Sequence, residues 1–240
     1  MDLNSLNDRQ REAVLYNEGP LLIIAGAGAG KTKTLTTKIA YLIEEEHVSP
    51  YNILAITFTN KAAKEMKDRL YLLVGSDASK LQVSTFHSFG LKLLRENYET
   101  LGYDKNFVIM DSDDSLTVVK KILKDANYDP KIYNPKAIRN KISSCKNEMM
   151  TPDIYDKYAV SDYEKVIKEV YEKYERKLHM NNSVDFDDLL LLPIQLFKKN
   201  PDVLDKYQEL YQYILIDEYQ DTNEAQYILT KLLSAKNRNI

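Results

Sequence analysis

The chain has 240 residues, 44% of them hydrophobic, and its 33 Lys and Arg against 36 Asp and Glu leave a net charge of −3. That is enough apolar chain for a sizeable core in one or two domains. The charge is too balanced for a dedicated basic binder, although a stacking groove or a local basic strip can sit on an acidic body. The single cysteine, Cys145, excludes an internal disulfide and a cysteine-based metal site, and His47, His87 and His179 are too scattered to form a histidine cluster. The N-terminus, MDLNSLNDRQREA, has no apolar signal core, and the longest aliphatic run, the leucines at 189–192, stops at Pro193. These features predict a cytoplasmic protein with no membrane segment.

The first strong local signal is LLIIAGAGAGKT at residues 21–32. LLIIA predicts a strand, the glycine-rich turn after it predicts a phosphate cradle, and KTLTTKIAYLIEEE predicts the helix that opens from it. A cradle curls backbone N–H groups around an anion and tolerates no bulky Cβ, which Gly26, Gly28 and Gly30 with Ala27 and Ala29 between them satisfy. Ala25 stands where the usual pattern has glycine. Lys31 is expected to reach the β- and γ-phosphates, and Thr32 to offer its hydroxyl to Mg²⁺, with the helix N-terminus adding its dipole. The implied ligand is a nucleoside triphosphate.

Residues 53–59, ILAITFT, predict a buried strand followed by the helical pattern NKAAKEMKDRLYLLV. LQVSTF predicts another short strand, ending at Thr85 and Phe86 and leading through His87 and Ser88 into the helical GLKLLRENYETL. From about 110 to 182 charges become dense and apolar residues fall at helical spacing, as in SLTVVKKILKDANY and YEKVIKEVYEKYERKL, which predicts an inserted helical domain. Asp111, Asp113 and Asp114 suit a helix N-terminus at its start. Lys136, Arg139, Lys141 and Lys146 follow with no intervening acid, as either a phosphate-contacting strip or a solvated face. The tyrosines at 155, 158, 163, 171 and 174 are expected to pack helices. In DFDDLL, Asp185, Asp187 and Asp188 read as a helix cap with acids in its first turn, because their spacing matches no calcium loop. Residues 213–216, YILI, predict a strand that delivers Asp217 and Glu218 to its carboxyl end, where open α/β sheets place their ligands. Asp217 would hold Mg²⁺ and Glu218 would polarise an attacking water.

Six segments carry a resemblance, with KNEMMTP (146–152) and the segment at 169–178 included in its span: LNDRQREAV (6–14), AGAGAGKT (25–32), ITFTNKAAKEM (56–66), STFHSF (84–89), DFDDLL (185–190) and ILIDEYQDTN (214–223). In order and spacing they resemble the N-terminal motifs of the UvrD/PcrA family of superfamily 1 DNA helicases, over essentially the whole chain. The resemblance implies an α/β fold with a RecA-like P-loop parallel sheet flanked by helices. It places the motor domain at residues 1–110 and 183–240, and an inserted all-helical subdomain that touches the duplex at 111–182. Gln10 matches the adenine reader, its carboxamide able to donate and accept at one edge of the base. The remaining nucleotide-binding positions are Ala25, Gly26, Ala27, Gly28, Ala29, Gly30, Lys31, Thr32 and Lys33. The family often has Arg at the last of these, so the planar fork is lost and the charge kept. Phe58, which alone would read as core, matches the residue that stacks on single-stranded DNA. Asn60, Thr85 and His87 match polar positions along the DNA track, and Lys61 is placed to meet a phosphate.

The function so implied is that of an ATP-dependent DNA helicase or translocase, moving 3′ to 5′ in DNA repair or replication. ATP and Mg²⁺ would be its cofactors, and single-stranded DNA, single–double-strand junctions and DNA-repair proteins its partners. Family members continue beyond QYILTKLLSAKNRNI into a strand bearing a γ-phosphate-sensing glutamine and then a second motor domain that supplies arginines to the site. The chain is therefore expected to bind Mg-ATP, to hydrolyse it poorly and not to unwind DNA alone. The alternative is a stand-alone nucleotide-dependent interaction module without motor activity, indifferent to DNA.

Overall fold

The computed structural model describes residues 3–26 and 28–240. In chain order its elements are α1 (Asp8–Leu15), α2 (Lys31–Glu44), β1 (Ile53–Thr57), α3 (Asn60–Val74), β2 (Gln82–Thr85), α4 (Phe86–Glu96), β3 (Val108–Ile109) and α5 (Ser112–Asp125). There follow α6 (Pro135–Asn147), α7 (Pro152–Asp156), α8 (Asp162–Met180), β4 (Ser183–Val184), α9 (Asp188–Lys199), α10 (Pro201–Leu210), β5 (Tyr213–Ile216) and α11 (Glu224–Ser234). Two compact units result. One is built from the chain up to Phe89 with Asn200–Thr222 and Thr230–Ile240, and the other from Gly90–Lys199 and Asn223–Leu229.

In the first unit, β1, β2 and β5 form a parallel sheet in the order β2-β1-β5, the helix-flanked arrangement a RecA-like P-loop domain requires. Every residue of β1 is buried, as its unbroken apolar run demands of a central parallel strand. Ile39 and Leu42 of α2 and Met66 and Leu70 of α3 pack with Ile53, Ala55, Val83 and Leu215 into one core. α3 starts where the Thr59 hydroxyl accepts from Ala62 N at 3.1 Å, and Gly75 follows its last turn at φ +59°. The strand expected from LLIIA is not part of this sheet. Its only described bond to the sheet's surroundings is Leu21 N to the Ile240 carbonyl at 2.7 Å, while Leu22 and Ile24 stand exposed. Among the described residues the free side of β5 carries a single bridge, Tyr213 to Asn239, and no ladder runs beside residues 22–25 to hold them as a strand.

The second unit holds a helical core of Val119, Ile122, Ile138, Ile142, Val170, Tyr171, Tyr174 and Leu178, contributed by α5, α6 and α8. Local chemistry starts each helix. Asp111 Oδ1 accepts from Asp113 N and Asp114 N at 2.8 and 2.9 Å, Asn134 caps α6, and Ser161 with Glu164 forms a reciprocal box at α8. Of the five tyrosines expected to pack helices, Tyr155, Tyr171 and Tyr174 are buried, while Tyr158 and Tyr163 are exposed, Tyr163 stacking on Tyr133. β3 and β4 pair in parallel on either side of the α5–α8 segment. Gly90 permits the closest approach in this unit: a Cβ there would lie 1.8 Å from the Leu189 carbonyl oxygen. Backbone cannot yield as a side chain can, so Gly90→Ala is expected to cost at least the ~1–3 kcal/mol typical of overpacking, read as a lowered urea midpoint at constant m-value.

Lys146 departs from the expected basic strip. It is 1% exposed, and its ammonium lies 2.7 Å from Glu175 and 2.8 Å from both Asp185 and Asp188. Burial by itself would strip the proton, but the surrounding acids hold the Lys146 pKa well above the usual lysine value. Burial and neighbouring Asp185 push Asp188 well above the carboxylate range, burial pushes Glu175 up, and Lys146 overcomes burial to hold Asp185 low. The cap reading of DFDDLL survives in another form: Asp185 N donates to Asp188 Oδ2 and Asp188 N to Asp185 Oδ1, at 3.0 and 2.9 Å. These carboxylates group closely enough for a metal, yet the lysine ammonium stands among them and supplies the cationic charge.

Candidate nucleotide and DNA site

The glycine turn is built as an anion cradle must be. Gly30, at φ +80°, is the N-cap of α2, and Gly28, at φ +76°, precedes it in the same left-handed region. A Cβ on Gly30 would also meet Gln10 Nε2 at 2.9 Å. Ala29 N closes the turn on the Gly26 carbonyl at 3.2 Å, and Ala27 lies outside the described residues. Lys31 folds back along the loop, its ammonium donating to the carbonyls of Ala25 at 3.2 Å and Gly26 at 3.4 Å. Lys33 is exposed and donates to the Ser5 carbonyl at 2.8 Å.

α1 brings Gln10 to the cradle. Asn7 Oδ1 accepts from Gln10 N and Gln10 Oε1 accepts from Asn7 N, at 2.9 and 3.0 Å, a reciprocal cap that orients the carboxamide. Its Nε2 then donates to the Ala29 carbonyl at 2.9 Å, which leaves one N–H for a ligand in this arrangement.

Parallel pairing delivers the acids to the same place. Asp217 follows the last residue of β5 and is tied to β1 by its N–H, which donates to the Ile56 carbonyl at 2.9 Å. Its carboxylate, 8% exposed, accepts from the Thr32 hydroxyl at 3.2 Å through Oδ2 and from Glu218 N at 3.1 Å through Oδ1. Glu218 is a non-glycine residue at φ +52°, ψ +44°. Such a conformation costs of order 1–3 kcal/mol and persists where the surroundings over-determine it. Gln220 Nε2 donates to Glu218 Oε2 at 2.6 Å, a partner that a search for acids alone does not find.

The residues expected along a DNA track follow the carboxyl ends of β1 and β2, whose register pairs Thr57 with Thr85. One step beyond that pair, the half-buried Phe58 meets the buried Phe86 edge-on at 5.7 Å between ring centres and 70° between planes. Asn60 and Lys61 open α3 and are exposed, with Lys61 3.9 Å from Glu65. Thr85 is buried, its hydroxyl accepting from Ser88 N at 3.2 Å and bonded to Ser88 Oγ at 2.9 Å, and His87 is half-buried. The cradle, Gln10 and the acid pair are joined by the bonds above, while Phe58, Asn60, Lys61, Thr85 and His87 share the sheet's carboxyl edge. Among the described helices none is long and apolar enough to cross a membrane.

Comparison with known proteins bears on the same residues. The model of the UvrD/REP helicase N-terminal domain matches residues 6–240. The chain is 50% identical over 238 residues to the ATP-dependent DNA helicase PcrA of Bacillus subtilis, covering 99% of this chain and 32% of that protein. It is likewise 50% identical to the PcrA of Staphylococcus aureus and 49% identical to that of Staphylococcus epidermidis, covering 33% of each. The chain thus spans about a third of the length of these relatives. A glycine cradle on α2, an acid pair after β5 and a family match that runs from Leu6 to the last residue together establish that the chain belongs to the UvrD/REP helicase N-terminal domain family.

Proposed function

We propose that this chain is the ATP-binding portion of an ATP-dependent DNA helicase or translocase and that it binds Mg-ATP and single-stranded DNA. The observation that carries the reading is the 3.2 Å between Thr32 Oγ1 and Asp217 Oδ2, two hard oxygens from distant parts of the chain that meet beside a helix N-terminus. That donor set fits Mg²⁺, which takes few protein oxygens and keeps waters and phosphate oxygens as its other ligands. Bound there, the ion would neutralise charge on the phosphates. Lys31 would exchange the Ala25 and Gly26 carbonyls for the β- and γ-phosphates, Gln10 would contact adenine, and the turn from Ala25 to Gly30 would cradle the phosphates ahead of Lys33. Glu218 would accept a proton from the attacking water.

DNA would run over the carboxyl edge of the sheet, its bases stacking on Phe58, braced from behind by Phe86. Asn60, Lys61, Thr85 and His87 would line that track. Residues 1–110 and 183–240 form the motor in this reading, with 111–182 an insertion whose exposed Lys136 and half-buried Arg139 would face duplex phosphate. Movement 3′ to 5′ at single–double-strand junctions, repair or replication proteins as partners and a cytoplasmic location complete the proposal. The deciding experiment is Mg-ATP titration of the wild-type chain and of Lys31→Ala. Loss of the ammonium is expected to weaken binding at least about tenfold, the scale of one charge-assisted contact, at unchanged secondary structure. Equal affinities would remove the cradle from its role.

A further inference from the structure

The helix that carries Gln10, α1, has eight residues, too few to stand in water without outside support. Its N-terminal end is secured locally by the Asn7–Gln10 box. Its C-terminal end has no such device. No basic residue lies in the last turn, and the cap residue Tyr16 is extended, at φ −78° and ψ +101°, where a left-handed residue would commonly close the helix. Tyr16 N reaches back to the Glu12 carbonyl at 3.1 Å, and the carbonyls after Glu12 need partners from elsewhere.

Lys38 of α2 supplies them. Its ammonium donates to the carbonyls of Ala13 at 3.3 Å and Val14 at 3.5 Å, and to that of Tyr16. A cation in that place also meets the negative end of the α1 dipole. Lys38 is half-buried, and burial draws its pKa down to about 8 against the opposing pull of Glu46, so the side chain is still mostly charged at neutral pH. Two other bonds fasten the flanks of α1: Lys33 donates to the Ser5 carbonyl ahead of it at 2.8 Å, and Asn17 Nδ2 beyond it donates to Glu46 Oε1 at 2.6 Å. Of the three, Lys38 alone grips the helix itself.

Lys38 lies two turns along α2 from Lys31, and α2 runs unbroken from Lys31 to Glu44. One rigid helix therefore presents the cradle lysine at its start and holds the base-reading helix further on. How α1 seats on α2 sets where Gln10 stands relative to the phosphates. Gln10 has little room to slip, since its Nε2 donates to the Ala29 carbonyl at 2.9 Å and lies only 2.9 Å from where a Cβ on Gly30 would be.

We propose that Lys38 is a positioning residue for nucleobase recognition: by capping α1 it holds Gln10 at the adenine edge and leaves the phosphate contacts untouched. The proposal rests on the adenine reading of Gln10 given above.

The test uses Lys38→Met, which keeps an unbranched apolar stem and removes the donors. Binding of Mg-ATP, Mg-GTP and Mg-tripolyphosphate, which has no base, is measured for the wild-type 240-residue chain, Lys38→Met, Gln10→Ala and the double variant. Amide exchange is followed in the same chains without nucleotide. Lys38→Met is expected to weaken ATP about tenfold, the scale of one charge-assisted contact, to leave tripolyphosphate within twofold and so to shrink the preference for ATP over GTP. Exchange in α1 should speed about tenfold while β1 keeps the wild-type rate and reports an intact sheet. The double variant should bind ATP no more weakly than Gln10→Ala, because Lys38 acts through Gln10. Unchanged ATP affinity, additive losses, or tripolyphosphate weakened as much as ATP would overturn the proposal. A wild-type chain without preference for ATP over GTP, or a Gln10→Ala variant that keeps it, would overturn the adenine reading instead, while exchange in α1 would still decide whether Lys38 holds that helix.

Discussion

Lys146→Ala is expected to destabilise the protein by about 3–5 kcal/mol, the cost of leaving a buried charge network without its partner. The side chain has no exposed surface and is the only cation within salt-bridge distance of Glu175, Asp185 and Asp188 among the described residues. Truncation leaves three crowded carboxyl groups without their cation, Asp185 and Asp188 buried and Glu175 partly exposed, and two of the three already bind protons more tightly than in the unfolded chain. For those two, stability is fully present below the ordinary carboxylate pKa near 4 and is lost as pH rises through their raised folded values. Without the ammonium their ionised forms lose their main support, so the variant should lie nearest the wild type at low pH and fall away as pH rises. Urea unfolding at several pH values measures this. A solvated lysine in a surface strip would cost no more than about 0.5 kcal/mol at any pH, and that outcome would contradict the buried network.

Glu218→Gln is expected to lower kcat for Mg-ATP by about 10²–10⁴-fold, the usual contribution of a positioned general base, while leaving nucleotide affinity within a few-fold. The substitution is close to isosteric, and an amide oxygen can still accept from Gln220 Nε2, now at 2.6 Å from the carboxylate. Turn geometry and strain are therefore retained, and the proton acceptor alone is removed. Steady-state turnover of the intact enzyme, paired with equilibrium binding, separates the two effects. Turnover at the wild-type rate would exclude Glu218 as the base, and weakened binding at unchanged kcat would make it a ground-state contact.

Much of this site is legible in the sequence because its signals are local. Gly28 and Gly30 announce left-handed positions, YILI followed by Asp217 and Glu218 announces a strand end, and Asp111 with Asp113 and Asp114 announces a helix start, each within a few residues of chain. The expected strand at LLIIA illustrates the limit. Its apolar run satisfies the pattern for a buried strand, but a strand exists only with a hydrogen-bonded neighbour, and the pattern cannot say which segment lies alongside.

Lys146 shows the same limit in charge. By spacing it continues Lys136, Arg139 and Lys141, and its burial follows from Asp185 and Asp188, 39 and 42 positions further along. Asn147 and Asn223, which share a hydrogen bond at 2.8 Å, are likewise separated by 76 positions, and neither residue type by itself signals anything beyond a turn or a cap. The sequence by itself determined the cradle, the acid pair, the helix caps and the family, because backbone conformation and motif chemistry are set by near neighbours. The tertiary structure alone decided which charges lie in water and which in the core. Burial and long-range pairing are properties of the packed chain, and desolvation is what turns an ordinary lysine and three ordinary carboxylates into one network.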